Sequence, residues 1–569
     1  MADLNKLTTI NVQEKSNIIW GVADILRDYY KPHEYGKVIL PMCVLKRFND
    51  VLAPTKEDVL KKYEEVKDLA VNEGFLQKAS GYSFYNTSHY DFQKLTEDPT
   101  HIESNFRDFW NGFSDNVKDI LENYKFETEI ETLVKEDLLF SVIEAFNKPS
   151  AYMGADKVTA VDMGYIFEDL IKRFSESYGE DAGSHFTSRD IVYLMTDLLI
   201  VEDKEELIRD DAEKTVYDMA MGTSQMLTSM TERLKQINPN INVRTFGQEI
   251  NRETYAIAKS SALIHDQNAN NMRQGNTLSN DQFSGYTFDY CISNPPFGVD
   301  YKSALKSVQK EHDLGSAGRF PTKLPNKGDG QMLFTLNGIS KLNDSGRLAI
   351  IHNASPLFKG SVTSGESDIR RYIIENDWLE TIIQLSDDVF YNTSITTYIW
   401  ILTKNKSPAR KGKIQLIDAK NMVETRDKNI GKKRYDITSE YRNFIIDVYL
   451  DFKNKTYSIN DKICESKIFS NEDFGYKRVT IKTPSDDSLN KYNENIPLIE
   501  DIDDYFEREV KPYNPDAVMD PKFKIGYEIP FTRYFYKYSK PQSSKEIEKE
   551  IVSLEHEIDQ SLNKLFEGS

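Results

Sequence analysis

Between residues 157 and 403, short apolar runs alternate with helical stretches of 10–15 residues. No other feature constrains the fold as much. The runs are Thr215–Met219, Val243–Phe246, Phe288–Ile292, Leu348–Ile351, Thr381–Leu385 and Tyr398–Leu402. The helical stretches are 163–176, 189–200, 252–265 and 331–343. Strands that alternate with helices are parallel neighbours covered on both faces, so the fold class is α/β, doubly wound, with a mostly parallel sheet. The last two runs are separated by a short turn and are expected to form an antiparallel hairpin at the sheet edge.

Both flanks read differently. Before residue 150 the apolar residues follow helical spacing, as in Val22, Ile25, Leu26, Tyr29 and Tyr30, and again in Ile39, Leu40, Val44, Leu45 and Phe48. Pro41 within the second set is tolerable only near a helix start or at a kink. We expect an all-α domain over 1–150, the α/β domain over 151–440 and a C-terminal extension over 441–569. Ile547, Ile551, Leu554, Ile558, Leu562 and Leu565 form one stripe, so residues 541–569 are expected to be a helix that docks a partner or packs on its own domain.

Charge narrows the function. The chain carries a formal net charge of −19, which excludes a surface that grips nucleic acid everywhere, though not a local basic groove. Residues 404–434 hold eleven Lys and Arg against three acids, and this segment is the candidate groove or a solvated loop. Three scattered cysteines exclude a disulfide scaffold and a cysteine zinc site, and no histidines are paired at metal-ligand spacing, so no metal is expected. No apolar run approaches the 18 residues a membrane span needs. A soluble cytoplasmic protein is expected, with no membrane partner.

The sharpest chemical signal is Ser293-Asn294-Pro295-Pro296-Phe297-Gly298, directly after a buried strand. Ligands of open α/β sheets bind at the carboxyl ends of strands. Two prolines fix the turn and leave carbonyls facing outward. Asn294 adds a side-chain carbonyl and Phe297 a flat apolar face. Two acceptors beside a stacking platform suit a planar group bearing an amine. Accepting both hydrogens of an adenine N6, at Asn294 and the Pro295 carbonyl, would free its delocalised lone pair for attack.

A second signal ends the first strand, at Asp218 followed by Gly222, Thr223, Ser224 and Gln225. It lacks the glycines of a dinucleotide fingerprint and the Lys of a phosphate loop. Glu249 ends the second strand, where an acid accepts hydrogen bonds from ribose hydroxyls. A nucleoside site with no pyrophosphate site suggests S-adenosylmethionine. Asn276, before the third long run, could hold the adenine ring of that cofactor. Ser184, His185, Phe186, Thr187, Ser188 and Arg189 offer backbone N–H groups, hydroxyls and a ring beside a helix start, over its methionine end.

In this order, Phe186-Thr187-Ser188-Arg189, the Gly222 turn, Glu249 and the Asn-Pro-Pro-Phe box resemble the amino-group DNA methyltransferases of the gamma arrangement. Trp20–Arg27, Ile39–Arg47, Asp329–Phe334 and Gly346–Ile350 narrow the resemblance to the methylation subunits of type I restriction–modification systems. That resemblance spans roughly residues 15–440. It implies a seven-stranded methyltransferase sheet and an enzyme that methylates adenine N6 in duplex DNA. It also implies a specificity subunit and a restriction subunit as partners, with two copies of this chain per specificity subunit. Three positions depart from the usual pattern. Met219 stands for Pro, Asn276 for the commoner Asp, and Ser224 for a small Gly or Ala. A Cβ at a positive φ costs about 1 kcal/mol, so either Ser224 has a negative φ or the cofactor site is weakened. Two other readings stay open: a degenerate subunit that serves only as a scaffold, and methylation of a protein glutamine or an RNA guanine.

Overall fold

The computed structural model describes residues 9–178, 187–265, 267–391, 393–485, 488–537 and 543–567. The predicted alternation becomes strands β1 (Glu213–Asp218), β2 (Asn242–Glu249), β3 (Met272–Gln274), β4 (Phe288–Ser293), β5 (Leu342–Asn353), β6 (Leu379–Gln384) and β7 (Thr397–Thr403). Then follow β8 (Lys413–Asp418), a hairpin of β9 (Glu424–Ile430) and β10 (Lys433–Asp436), β11 (Lys455–Ile459) and β12 (Lys462–Ser470). One mixed, mostly parallel sheet has the order β11-β12-β8-β6-β7-β5-β4-β1-β2-β3.

Two expectations change here. The β6–β7 pair is antiparallel as expected, but β7 lies between β5 and β6, antiparallel to both. It is interior rather than an edge, and all seven of its residues are buried. A strand without an exposed face needs covered neighbours on both sides. The sheet also does not stop at seven strands or near residue 440. Beyond β6 it continues through β8, β12 and β11, the last two joined antiparallel.

Helices Arg189–Ile200, Gln225–Ile237 and Arg252–Ile264 pack on this sheet, with Ile191, Leu194, Leu198, Leu227 and Met230 in its core. In a doubly wound fold the carboxyl ends of parallel strands form one rim. Here the ends of β1, β2 and β4 bring Asp218, Glu249 and Ser293 to that rim.

Residues 9–178 are helical. The helix Tyr35–Leu52 is buried along almost its whole length and contains Pro41 in its interior. Its Lys46 pairs with Asp50 at 2.8 Å, and Asp50 in turn accepts the Met153 N–H at 2.8 Å. Arg47 donates to the Val158 carbonyl at 2.7 Å. Buried charges persist only when paired, and these fasten the helix to the segment that leads into the sheet.

After β12, the strands β13 (Gly475–Ser485), β14 (Ser488–Pro497), β15 (Val518–Met519) and β16 (Lys524–Tyr527) form a small antiparallel sheet. Residues from Pro530 onward form a separate unit. In it the helix Ser544–Glu567 leaves Ile547, Ile551, Leu554 and Ile558 exposed. Among the described residues no helix is long and apolar enough to cross a membrane.

Candidate active site

At the end of β4, the Ser293 hydroxyl donates to the fully buried Asp218 carboxylate at 2.7 Å. That bond locks the ends of β4 and β1 together. The next residue, Asn294, donates through Nδ2 to the Thr187 hydroxyl oxygen at 3.0 Å. Its Oδ1 is buried and has no hydrogen-bond partner among the described residues. Pro295 is buried and Pro296 exposed. Phe297 is half-buried against the main core.

The loop after β1 is tightly turned, with Gly222 at φ 53° and Ser224 at φ 68°. The alternative left open at Ser224 therefore resolves toward the left-handed conformation, which a Cβ disfavours. Ser224 is buried, with its Oγ 4.0 Å from the Met272 sulfur. Glu249 holds this loop from β2. Its Oε2 accepts the Gly222 N–H at 3.0 Å, and its Oε1 accepts the Asn251 N–H at 2.8 Å. Each carboxylate oxygen keeps a further lone pair. The Asn276 side-chain oxygen accepts the Leu278 N–H at 2.9 Å, and the Thr277 hydroxyl donates to the Met219 carbonyl at 2.5 Å.

These elements surround a cavity of about 290 Å³. Of the expected residues, Thr187, Gly222, Thr223, Gln225, Glu249, Asn276, Asn294 and Pro296 line it. Gln225 contributes an amide whose nitrogen and oxygen are both buried without a partner among the described residues. Such groups are costly to leave unsatisfied in a core, and they cluster where a ligand completes them.

Other expected residues stand apart. Asp218, Ser224, Pro295 and Phe297 lie outside the lining. So do Ser188 and Arg189, whereas Thr187 of the same stretch lines the cavity. Arg189 pairs with Glu168 at 2.7 Å and Glu232 at 2.8 Å, and it lies 3.9 Å from the centre of the Tyr165 ring. Its guanidinium is committed to bracing helices. Ser184, His185 and Phe186 lie outside the described residues.

Sequence reasoning missed part of the wall: Ile250, the loop of Val299, Asp300, Tyr301, Ser303 and Ala304, and then Gly330 and Phe334. The signal for the last two was present in Asp329–Phe334, to which no role had been assigned. Gly330 donates its N–H to the Val299 carbonyl at 2.9 Å, and a Cβ there would meet Tyr301 at 3.3 Å.

Electrostatics at the rim is set by burial. Desolvation pushes the Asp218 carboxyl up to about 7, against the hydrogen bonds from the Ala220 N–H and Ser293. Behind the Gly330 wall, His352 is fully buried and burial holds it down at about 3. It shares a hydrogen bond with the Thr335 hydroxyl at 2.7 Å, and its Nδ1 lies 3.3 Å from Gln331 Oε1.

In the 404–434 segment Lys404, Lys411, Lys413, Lys420, Lys432 and Arg434 are exposed, while other cations turn into the fold. Lys406, Arg410 and Lys433 are buried, and Lys406 pairs with Asp377 at 2.6 Å and Lys433 with Asp190 at 2.9 Å. Lys420 pairs with Asp418 at 2.9 Å, and Arg426 pairs with Asp436. Much of that charge is consumed within the fold.

The strand order β3-β2-β1-β4-β5-β7-β6, with β7 reversed and an Asn-Pro-Pro-Phe turn on β4, defines a methyltransferase fold. The N-6 DNA methylase family matches residues 159–476, and the HsdM N-terminal domain matches residues 15–146. The chain belongs to the N-6 DNA methylase family. It is 24% identical to the type I restriction enzyme MjaIX methylase subunit of Methanocaldococcus jannaschii, over 78% of each chain. It is 25% identical to the MpnII methylase subunit of Mycoplasma pneumoniae, over 72% of this chain and 80% of that one. In fold it matches the type I restriction–modification methyltransferase subunit of Streptococcus thermophilus at a TM-score of 0.61. That match has 23% identity and covers 81% of this chain and 96% of the other.

Proposed function

We propose that this chain methylates adenine N6 in duplex DNA with S-adenosylmethionine, as the modification subunit of a type I restriction–modification complex in the cytoplasm. The observation that carries the reading is the buried Asn294 Oδ1 at the wall of the cavity, which has no partner among the described residues. It is an acceptor waiting for an N–H donor, at the carboxyl end of a central strand.

The residues present fit the cofactor. Glu249 and Asn276 line the cavity and would hold ribose and adenine, and Ile250, Leu278 and Phe334 would supply apolar walls. The orphaned Gln225 amide offers one donor face and one acceptor to an amino-acid end. When bound, S-adenosylmethionine supplies a methyl group on a sulfonium that departs as a neutral thioether.

The chain's own part is positioning. The target base leaves the stack at a cost of a few kcal/mol. Phe297 then stacks on it, while Asn294 Oδ1 and the Pro295 carbonyl accept its two N6 hydrogens. Drawing those hydrogens out of the ring plane returns the lone pair to nitrogen. Asn294 Oδ1 and the Pro295 carbonyl would hold N6 in line with the methyl that S-adenosylmethionine supplies, and the proton that N6 loses after transfer would pass to solvent. Holding the reacting atoms in line contributes most of the acceleration, because the leaving group is already good.

Partners follow from the same reading. The resemblance to type I methylation subunits implies a specificity subunit, a restriction subunit and two copies of this chain per specificity subunit, and the overall charge of −19 agrees with a separate subunit that brings the DNA. The division into a helical domain over 1–150, a catalytic domain from 151 and an extension ending in a docking helix over 541–569 goes with it.

The test compares Asn294→Ala and Phe297→Ala with the wild type. Both should lose methylation by about 100-fold or more while binding S-adenosylmethionine normally by calorimetry. Near-normal activity in either variant refutes its assigned role.

A further inference from the structure

Asn294 can serve as an acceptor only if its amide is held one way round. Turned over, it presents an N–H to an amine that also donates, and the two repel. Among the described residues, the side chain that meets it is Thr187. Thr187 lies 107 residues earlier in the chain, is buried, and accepts the Asn294 Nδ2 hydrogen at 3.0 Å. With the nitrogen occupied, Oδ1 is left buried without a partner among the described residues.

Thr187 is itself on a braced segment. Ser188 caps the helix Arg189–Ile200, its carbonyl accepting the Ile191 and Val192 N–H groups at 3.1 Å. The buried Lys433 of β10 donates to Asp190 at 2.9 Å, to the Val389 carbonyl at 3.0 Å and to the Ser188 hydroxyl at 3.3 Å. Asp190 also accepts the Ile437 N–H at 2.8 Å. The hairpin of β9 and β10 therefore fixes the backbone that carries Thr187.

We infer that Thr187 is a positioning residue, which anchors the Asn294 amide through its nitrogen so that the oxygen faces the target amine. This rests on the reading of Asn294 as the N6 acceptor, and it gives Thr187 a role toward the base instead of the cofactor. The hydroxyl is the working group, and the methyl is packing.

The experiment uses the full chain in complex with its specificity subunit, S-adenosylmethionine and a duplex carrying the recognised site. Thr187→Val keeps the shape and removes the acceptor; Thr187→Ser keeps the hydroxyl. Thr187→Val should lower the single-turnover rate roughly 10–100-fold, with S-adenosylmethionine affinity within about twofold of the wild type. Thr187→Ser should recover most of the rate. In an Asn294→Asp background both side-chain atoms are oxygens and no wrong orientation exists. There the added Thr187→Val change should cost less than about threefold. A normal rate in Thr187→Val overturns the inference. So does a loss of cofactor affinity that matches the loss of rate, which would make Thr187 a cofactor ligand. A Thr187→Ser variant as slow as Thr187→Val assigns the effect to packing and overturns it too. A wild-type complex that leaves N6 unmethylated instead overturns the reading of Asn294, and the inference falls with it.

Discussion

The Ser293 hydroxyl and the Asp218 carboxylate, 2.7 Å apart and both fully buried, join the strand that carries the Asn-Pro-Pro-Phe turn to the strand that opens the glycine loop. Burial without a cation moves the Asp218 carboxyl up from 3.8 to about 7. This group's contribution to stability is full below 3.8 and is lost as pH rises through 7. His352 works in the opposite sense, moved down from 6.5 to about 3, so its contribution is present above 6.5 and is lost as pH falls through 3. Between pH 3.8 and 6.5 the two slopes oppose each other. Asp218→Asn should therefore make stability rise with pH more steeply than in the wild type, by about 1.4 kcal/mol per pH unit, and His352→Gln should tilt it the other way. Unfolding midpoints of the three proteins across that window check this. Parallel curves would mean the two groups titrate alike in the folded and unfolded chain.

Glu249 bridges two backbone N–H groups, at Gly222 and Asn251, and also faces the cavity. Glu249→Ala should weaken S-adenosylmethionine binding by about 10–100-fold, since a hydrogen bond to a charged acceptor is worth about 1.5–3 kcal/mol. It should also lower the unfolding midpoint, because Gly222 and Asn251 lose their acceptor. Glu249→Gln keeps one acceptor and should fall between. Calorimetry with unchanged affinity in Glu249→Ala would remove this residue from the cofactor site.

Ser224 holds φ 68° with a buried hydroxyl 4.0 Å from the Met272 sulfur. Glycine takes that conformation without the Cβ penalty of about 1–2 kcal/mol, though it loses more backbone entropy on folding. Ser224→Gly should stabilise the chain by up to about 1 kcal/mol and leave S-adenosylmethionine affinity equal or tighter. Denaturant midpoints and calorimetry read both. A less stable variant would show that the hydroxyl contributes more than its strain costs.

How much of this was readable in the sequence varied with the physics behind each signal. The helix at 189–200 and the long apolar runs were legible because burial on a sheet imposes period and length. β3 has three residues, too few for any period, and β8 lies in a segment whose charge masked its alternating apolar positions. Asn294, Glu249 and Asn276 were legible as candidates because residue type and a place at or just after a strand end single them out, and Gln225 because it follows the Gly222 turn; all four line the cavity. Arg189 and Lys433 show the limit. A charge count cannot tell a buried cation with a carboxylate partner from one that reaches a ligand, because the partners Glu168, Glu232 and Asp190 meet them only through the fold.

The exposed stripe of Ile547, Ile551, Leu554 and Ile558 is the candidate docking face for the specificity subunit. Deleting residues 541–569 should leave S-adenosylmethionine binding unchanged and abolish co-purification with that subunit, together with site-specific methylation. Retained assembly in the truncated chain would move the docking surface elsewhere.

The central claim is methyl transfer to adenine N6, and the most direct measurement is chemical. A duplex carrying the recognised site is incubated with the assembled complex and S-adenosylmethionine, then digested to nucleosides for mass spectrometry. The account predicts N6-methyldeoxyadenosine with the wild type and none above background with Asn294→Ala. A methyl group found on cytosine or on protein, or an Asn294→Ala complex that methylates adenine as well as the wild type, would contradict it.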